Sequence, residues 1–137
     1  MMQLERLILY VLPGREGEAA AGWALALARR LGARVFAVHA VDDREQTAGD
    51  QESEEAAWKI LYEVEDDAFE EDVKLSLVLE QGDPVERLVE VVAGYSGDLV
   101  VVPAGAFPPA ELVRRSPAPV VFVGSAAAEA ARGFKEE

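Results

Sequence analysis

Six consecutive apolar residues, Leu7-Ile8-Leu9-Tyr10-Val11-Leu12, are too few for a buried helix and too uniform for a strand with one wet face. The run predicts a strand buried on both faces, which needs helices above and below and further strands on either side. Residues 18–31 then repeat apolar positions at helical spacing: Ala20, Trp23, Ala24, Leu27 and Leu31 form the predicted buried side, and Gly32 is the stop. Arg29 and Arg30, in the last turn, suit the negative end of that helix. A second strand follows over residues 35–41, rich in β-branched and aromatic side chains.

A polar stretch over residues 44–53 reads as a loop. Ala57, Leu61, Val64 and Ala68 then give the core stripe of a second helix, flanked by Trp58, Tyr62 and Phe69, with acids on its outer face. Aromatics at this spacing are read as packing rather than as a cofactor stripe. Alternation over residues 73–79, broken at Val78, predicts a third strand at a sheet edge. In Gly82-Asp83-Pro84-Val85-Glu86, Asp83 is the expected N-cap, Pro84 the first helical residue and Glu86 the partner in a capping box. Val85, Leu88, Val89 and Val92 supply the stripe of a third helix that ends near Gly94. A fourth buried strand spans residues 99–102, followed by the turn-rich connector Pro103-Ala104-Gly105-Ala106-Phe107-Pro108-Pro109, a brief helix over 110–115 and a fifth strand, Val120–Val123. Ser125 is placed to cap a further short helix. The expected division is one α/β domain, residues 1–123, and an alanine-rich tail, residues 124–137.

Charge changes the picture more than length does. The 137 residues carry a net charge of −13, and residues 42–72 hold 14 acids against Arg44 and Lys59. Nucleic acid and anionic membrane would be repelled, so neither is an expected partner. The preferred reading of the acidic stretch is a solvated helix face. There is no cysteine, which removes disulfides, thiolate nucleophiles and sulfur-ligated zinc together. The apolar runs are too short for a membrane span, and the first residues lack a basic region followed by a signal-peptide core; a cytoplasmic protein is expected. Asparagine is absent and arginine outnumbers lysine, a composition that hints at a thermophilic source.

The single histidine, His39, lies in the second strand with no second His or Cys to complete a ligand set, and reads as a packed strand residue. Asp42 and Asp43 could offer carboxylates to a hard cation or simply open a loop. There is no nucleophile–base pair, metal cluster or glycine-rich cofactor fingerprint. No acids follow the first strand and no lysine follows the fifth, so a receiver domain is excluded. The expectation is no enzyme, no cofactor and no metal.

The wording of the chain resembles the universal stress protein family over residues 7–123. The resemblance is carried in order by Trp23-Ala24-Leu25-Ala26-Leu27-Ala28-Arg29-Arg30-Leu31-Gly32-Ala33, Val38-His39-Ala40-Val41, Gly82-Asp83-Pro84, Asp98-Leu99-Val100-Val101-Val102 and Ser116-Pro117-Ala118-Pro119-Val120-Val121. It implies a single doubly wound α/β domain: a five-stranded parallel sheet of order 3-2-1-4-5 with helices on both faces. It also implies a ligand cleft at the carboxyl ends of the first and fourth strands, where Val41 matches a position near the adenine.

The departures carry the functional expectation. In ATP-binding members of the family the first strand ends in Asp-Gly, and the fourth is followed by Gly, two residues, Gly, nine residues, Gly and Ser or Thr. Here Leu12-Pro13 stands in the first place, and the connector after Val102 has three prolines, no base, no hydroxyl, and about ten residues fewer. Phosphates are held by successive backbone N–H groups, which proline lacks. The cleft residues, Leu12, Gly14, Val41, Gly82, Pro103, Gly105 and Phe107, are therefore expected to line a vestigial site, with Phe107 folded back into it. The start of the first helix, near Arg15, is left as a weak anion site. The expected function is contact-based: a homodimer through the edge residues Val120, Val121, Phe122 and Val123, with a possible protein partner, in a stress or regulatory role. The alternative is a small-ligand or nucleotide sensor using the reshaped cleft.

Overall fold

The computed structural model describes residues 3–42 and 50–126. Five strands, β1 (Arg6–Tyr10), β2 (Arg34–Val41), β3 (Leu75–Gln81), β4 (Leu99–Pro103) and β5 (Val120–Val123), alternate with four helices, α1 (Arg15–Leu31), α2 (Asp50–Glu70), α3 (Pro84–Gly94) and α4 (Pro109–Arg115). All neighbouring strands pair in parallel, in the order β3-β2-β1-β4-β5. This is the doubly wound sheet that the sequence implies. β1 is central, and Leu7, Ile8 and Leu9 are fully buried. Odd-numbered side chains of β1 join α1 and α2 in one core; Ile8 and Tyr10 join α3, α4 and Phe107 in the other.

Several boundaries differ from the sequence reading, each for a local reason. The first strand ends at Tyr10 rather than Leu12, although the Val11 N–H still donates to the Val38 carbonyl at 2.8 Å. α1 starts at Arg15 rather than at residue 18 because Gly14, at φ 92, turns the chain sharply into the helix. Its buried side is Gly17, Ala20, Ala21, Ala24, Leu25 and Ala28; Trp23 and Leu31, expected inside, are 40% and 45% exposed. Five of these six are glycine or alanine, so the packed face of α1 is built mainly of small residues. β3 begins at Leu75 rather than residue 73, since Asp72 adopts φ 58 and the Val73 N–H bonds back to the Ala68 carbonyl, closing the end of α2. In α3, Val91 is buried where Val89 was expected. α2 starts at Asp50, inside the predicted loop, and the remainder of that loop, with Asp43, lies outside the described residues. So does the tail from residue 127.

The α2 core stripe of Ala57, Leu61, Val64 and Ala68 is buried as predicted. Asp83 caps α3 by accepting from the Glu86 N–H at 3.0 Å, with Pro84 at the first helical position. Among the described residues no helix is long and apolar enough to cross a membrane.

Candidate functional site

Parallel strands deliver their carboxyl ends to one rim of the sheet, where ligands bind in folds of this kind. β1 runs out into Leu12-Pro13-Gly14, and α1 begins at once with no side-chain cap on its first N–H groups. Gly17, in the first turn, is fixed by contact: a Cβ there would run into the Leu12 carbonyl oxygen. α1 is thus clamped onto the end of β1. Next along the rim, the Gly82 N–H donates to the Val41 carbonyl at 2.9 Å, joining the ends of β2 and β3.

The connector after β4 has few donors left. Pro103, Pro108 and Pro109 have no N–H. The Ala104 N–H goes to the Val123 carbonyl at 2.8 Å and that of Ala106 to the Pro103 carbonyl at 3.2 Å. Only the amides of Gly105 and Phe107 remain. Gly105 turns the chain at φ 88, and the Glu16 Oε2 lies 3.4 Å from where a Cβ on it would stand. A carboxylate therefore sits between the start of α1 and the connector.

Phe107 folds back from the connector and is 5% exposed. Its ring meets Tyr10 edge-on, with centroids 4.7 Å apart and planes at 75°, a favoured aromatic geometry. Leu12, half-buried, packs against the same cluster, which includes Val102 and Ala40. The Tyr10 hydroxyl takes a long bond from the Ala40 N–H at 3.3 Å and gives one to the Ala40 carbonyl at 3.4 Å. Burial pushes its pKa up, the Ala40 bond opposes this, and the charge of Asp42 adds to the rise. His39 Nδ1 lies 2.8 Å from the Val11 carbonyl; since a carbonyl only accepts, that nitrogen carries the proton. The ring also lies 5.7 Å from Tyr10. His39 is thus a packed, hydrogen-bonded strand residue.

The rim holds one tyrosine, one histidine already bonded to backbone, carboxylates, and two arginines: Arg15 at the start of α1 and Arg87, whose side chain lies against Gly82. Among the described residues no group of three or more His, Asp or Glu is arranged to hold a metal ion. All seven predicted cleft residues stand on this rim, and Leu12 and Phe107 share one apolar cluster.

The sequence profile of the universal stress protein family matches residues 6–133. The chain belongs to that family. No curated protein sequence matches it. Solved structures show the same fold at low identity. A universal stress family protein from Burkholderia pseudomallei has a TM-score of 0.78 at 19% identity, covering 88% of this chain and 96% of its own. One from Arabidopsis thaliana with AMP bound has a TM-score of 0.73 at 15% identity, covering 88% and 91%. One from Archaeoglobus fulgidus in complex with dAMP has a TM-score of 0.69 at 17% identity, covering 90% and 99%.

Two residues that matter to the rim of this universal stress protein escaped the sequence reading. Tyr10 was read only as one of six apolar residues, yet it is the platform for Phe107. Glu16 was passed over in a plain turn, yet its carboxylate faces the connector. A lone tyrosine among aliphatic strand residues was the available signal for the first; nothing local signals the second. Hollows of about 350 and 400 Å³ lie elsewhere, at the amino end of the sheet, lined by Phe69, Val73 and Leu75 and by Ala26, Arg29 and Arg30 respectively.

Proposed function

We propose that this universal stress protein does not bind ATP and acts without catalysis, through dimerisation and protein contacts in a stress or regulatory role. The observation that carries the reading is the burial of Phe107 on Tyr10 between the ends of β1 and β4. On this reading the ring stands in space that a nucleotide would otherwise use. Electrostatics point the same way. ATP would bring several negative charges to a protein at −13 and meet the Glu16 carboxylate rather than a cradle of N–H donors. Losing several charge-assisted contacts, at about 1.5–3 kcal/mol each, turns micromolar binding into millimolar or worse.

Dimerisation is assigned to β5. Val120, Val121 and Phe122 are half-buried on an outer strand without charge, and such an edge invites pairing with a second copy about a two-fold axis. The competing reading, a nucleotide or small-ligand sensor, draws on the relatives determined with AMP and dAMP.

Calorimetric titration with magnesium and ATP separates the two. Absence of binding up to about 1 mM is expected, and a dissociation constant below about 50 μM, worth nearly 6 kcal/mol, sinks the proposal. Sedimentation at micromolar protein should give the dimer mass, and Val121→Lys should halve it. A monomer before mutation contradicts the assignment to β5.

A further inference from the structure

The acidic helix α2 carries two apolar stripes: the core buries one, and of the other only Trp58 packs against it. At 3.6 residues per turn, Trp58, Tyr62, Glu65 and Phe69 fall within about 60° of one another, roughly 100° around the helix from the buried stripe of Ala57, Leu61, Val64 and Ala68. Trp58 and Tyr62 stack with ring centroids 5.7 Å apart. Tyr62 is 52% exposed and Phe69 86%. The stripe turns toward the outer edge of the sheet, for Phe69 lines the hollow of about 350 Å³ with Ala68, Glu65, Asp66, Val73 and Leu75.

That edge is β3, which pairs with β2 alone among the described residues. The Lys74 carbonyl accepts from Val35 and the Gly82 N–H donates to Val41, so the even-numbered residues of β3 face β2. By alternation Leu75, Leu77 and Leu79 turn their N–H and C=O groups outward. Leu75-Ser76-Leu77-Val78-Leu79 has no charge or proline to guard it. Beside it runs the most acidic part of the molecule: residues 50–72 hold 11 acids against Lys59. Of these acids, Glu65 and Asp66 line the same hollow as Phe69 and Leu75.

We propose that the α2–β3 edge binds an extended, basic segment of a partner protein, which adds a strand to β3 and lays apolar side chains on Tyr62 and Phe69. Charge selects the occupant. A second copy brings −13 to this face, and residues 127–137 hold three acids against Arg132 and Lys135. Neither complements it; a lysine- and arginine-rich strand does. The inference deepens the reading that the protein works through protein contacts and rests on it, but it needs neither the β5 dimer nor the loss of ATP binding, which calorimetry and sedimentation test separately.

The probe is an acetylated and amidated nonapeptide of alternating lysine with valine or phenylalanine, fluorescently labelled and titrated by anisotropy at about 0.15 M and 0.5 M salt. Saturable binding is expected, weakened at least tenfold by Phe69→Ser and at least tenfold by N-methylation of alternate peptide amides. The first change leaves the protein's charge intact and touches an exposed side chain; the second leaves the protein untouched. Glu65→Lys with Asp66→Lys should weaken binding further and flatten its salt dependence. Equal affinity for Phe69→Ser, or for the methylated peptide, would reduce the effect to bulk attraction and overturn the proposal, as would no binding at 0.15 M salt.

Discussion

Two phenylalanines divide this molecule. Phe107 stands in a loop of alanines and prolines and is 5% exposed; Phe69 stands on a regular helix among acids and is 86% exposed. Their own hydrophobicity is the same, so the difference lies in what the backbone lets each ring reach. The connector has no fixed period, and it can fold Phe107 onto Tyr10 and remove it from water, worth about 2 kcal/mol. A helix has no such freedom. Its period puts Phe69 about 100° from the core stripe, and leaving the helix would break its backbone bonds. At the carboxyl rim the ring is packed on Tyr10, whereas at the β3 edge the ring stands in water.

The largest effect expected from breaking this contrast is at the closed end. Phe107→Ala removes a buried ring from a contact with Tyr10 at 4.7 Å and should destabilise the fold by about 3 kcal/mol, read by urea unfolding. The variant should still fail to bind ATP, because Glu16 and the proline-rich, donor-poor connector are unchanged. A loss under about 1 kcal/mol would show that Phe107 is not held in the cluster. Phe69→Ala, at the open end, should change stability by no more than about 0.5 kcal/mol. A cost above about 1 kcal/mol would mean that its ring packs on the protein's own surface, and the docking face would lose its anchor.

The order of strands and helices was legible because each element advertises itself. β1 and β4 are continuous apolar runs, and α3 begins with a cap, a proline and an acid in the right places. The inner side of α1 was less so, since the period fits Trp23 and Leu31 as well as it fits the alanines. Which of these sides packs is settled by how the helix is rotated on the sheet, and that buries Ala20, Ala24 and Ala28. At the rim, the prolines of the connector could be read directly, and they motivate the expectation about Phe107. The approach of Glu16 to Gly105 could not be read, because it joins residues far apart in the chain through the end of a helix. The aromatic stripe on α2 was visible as a period and was read as packing, which holds for Trp58 and not for Tyr62 and Phe69. Only the position of α2 at the sheet's edge distinguishes the two.

The smallest predicted effect tests whether the acids of α2 are in mutual conflict. Asp67 is largely exposed, and its pKa is raised by desolvation and by neighbouring carboxylates. A carboxyl whose folded pKa lies above its unfolded value binds protons more readily in the folded state. Stability therefore falls as pH rises from the unfolded to the folded pKa, and the penalty is complete at neutral pH. Asp67→Asn removes one of the repelling charges and should raise the melting temperature at pH 7 by about 1 °C, after allowance for solvent screening. At a pH below the ordinary carboxylate range, Asp67 is protonated in both states, and the difference between variant and parent should vanish. Salt near 0.5 M should also shrink it at pH 7, since the Debye length is then only about 4 Å. A melting temperature lowered by the substitution at pH 7 would mean that Asp67 is paired with a base rather than crowded by the carboxylates of α2 and by Glu18 of α1.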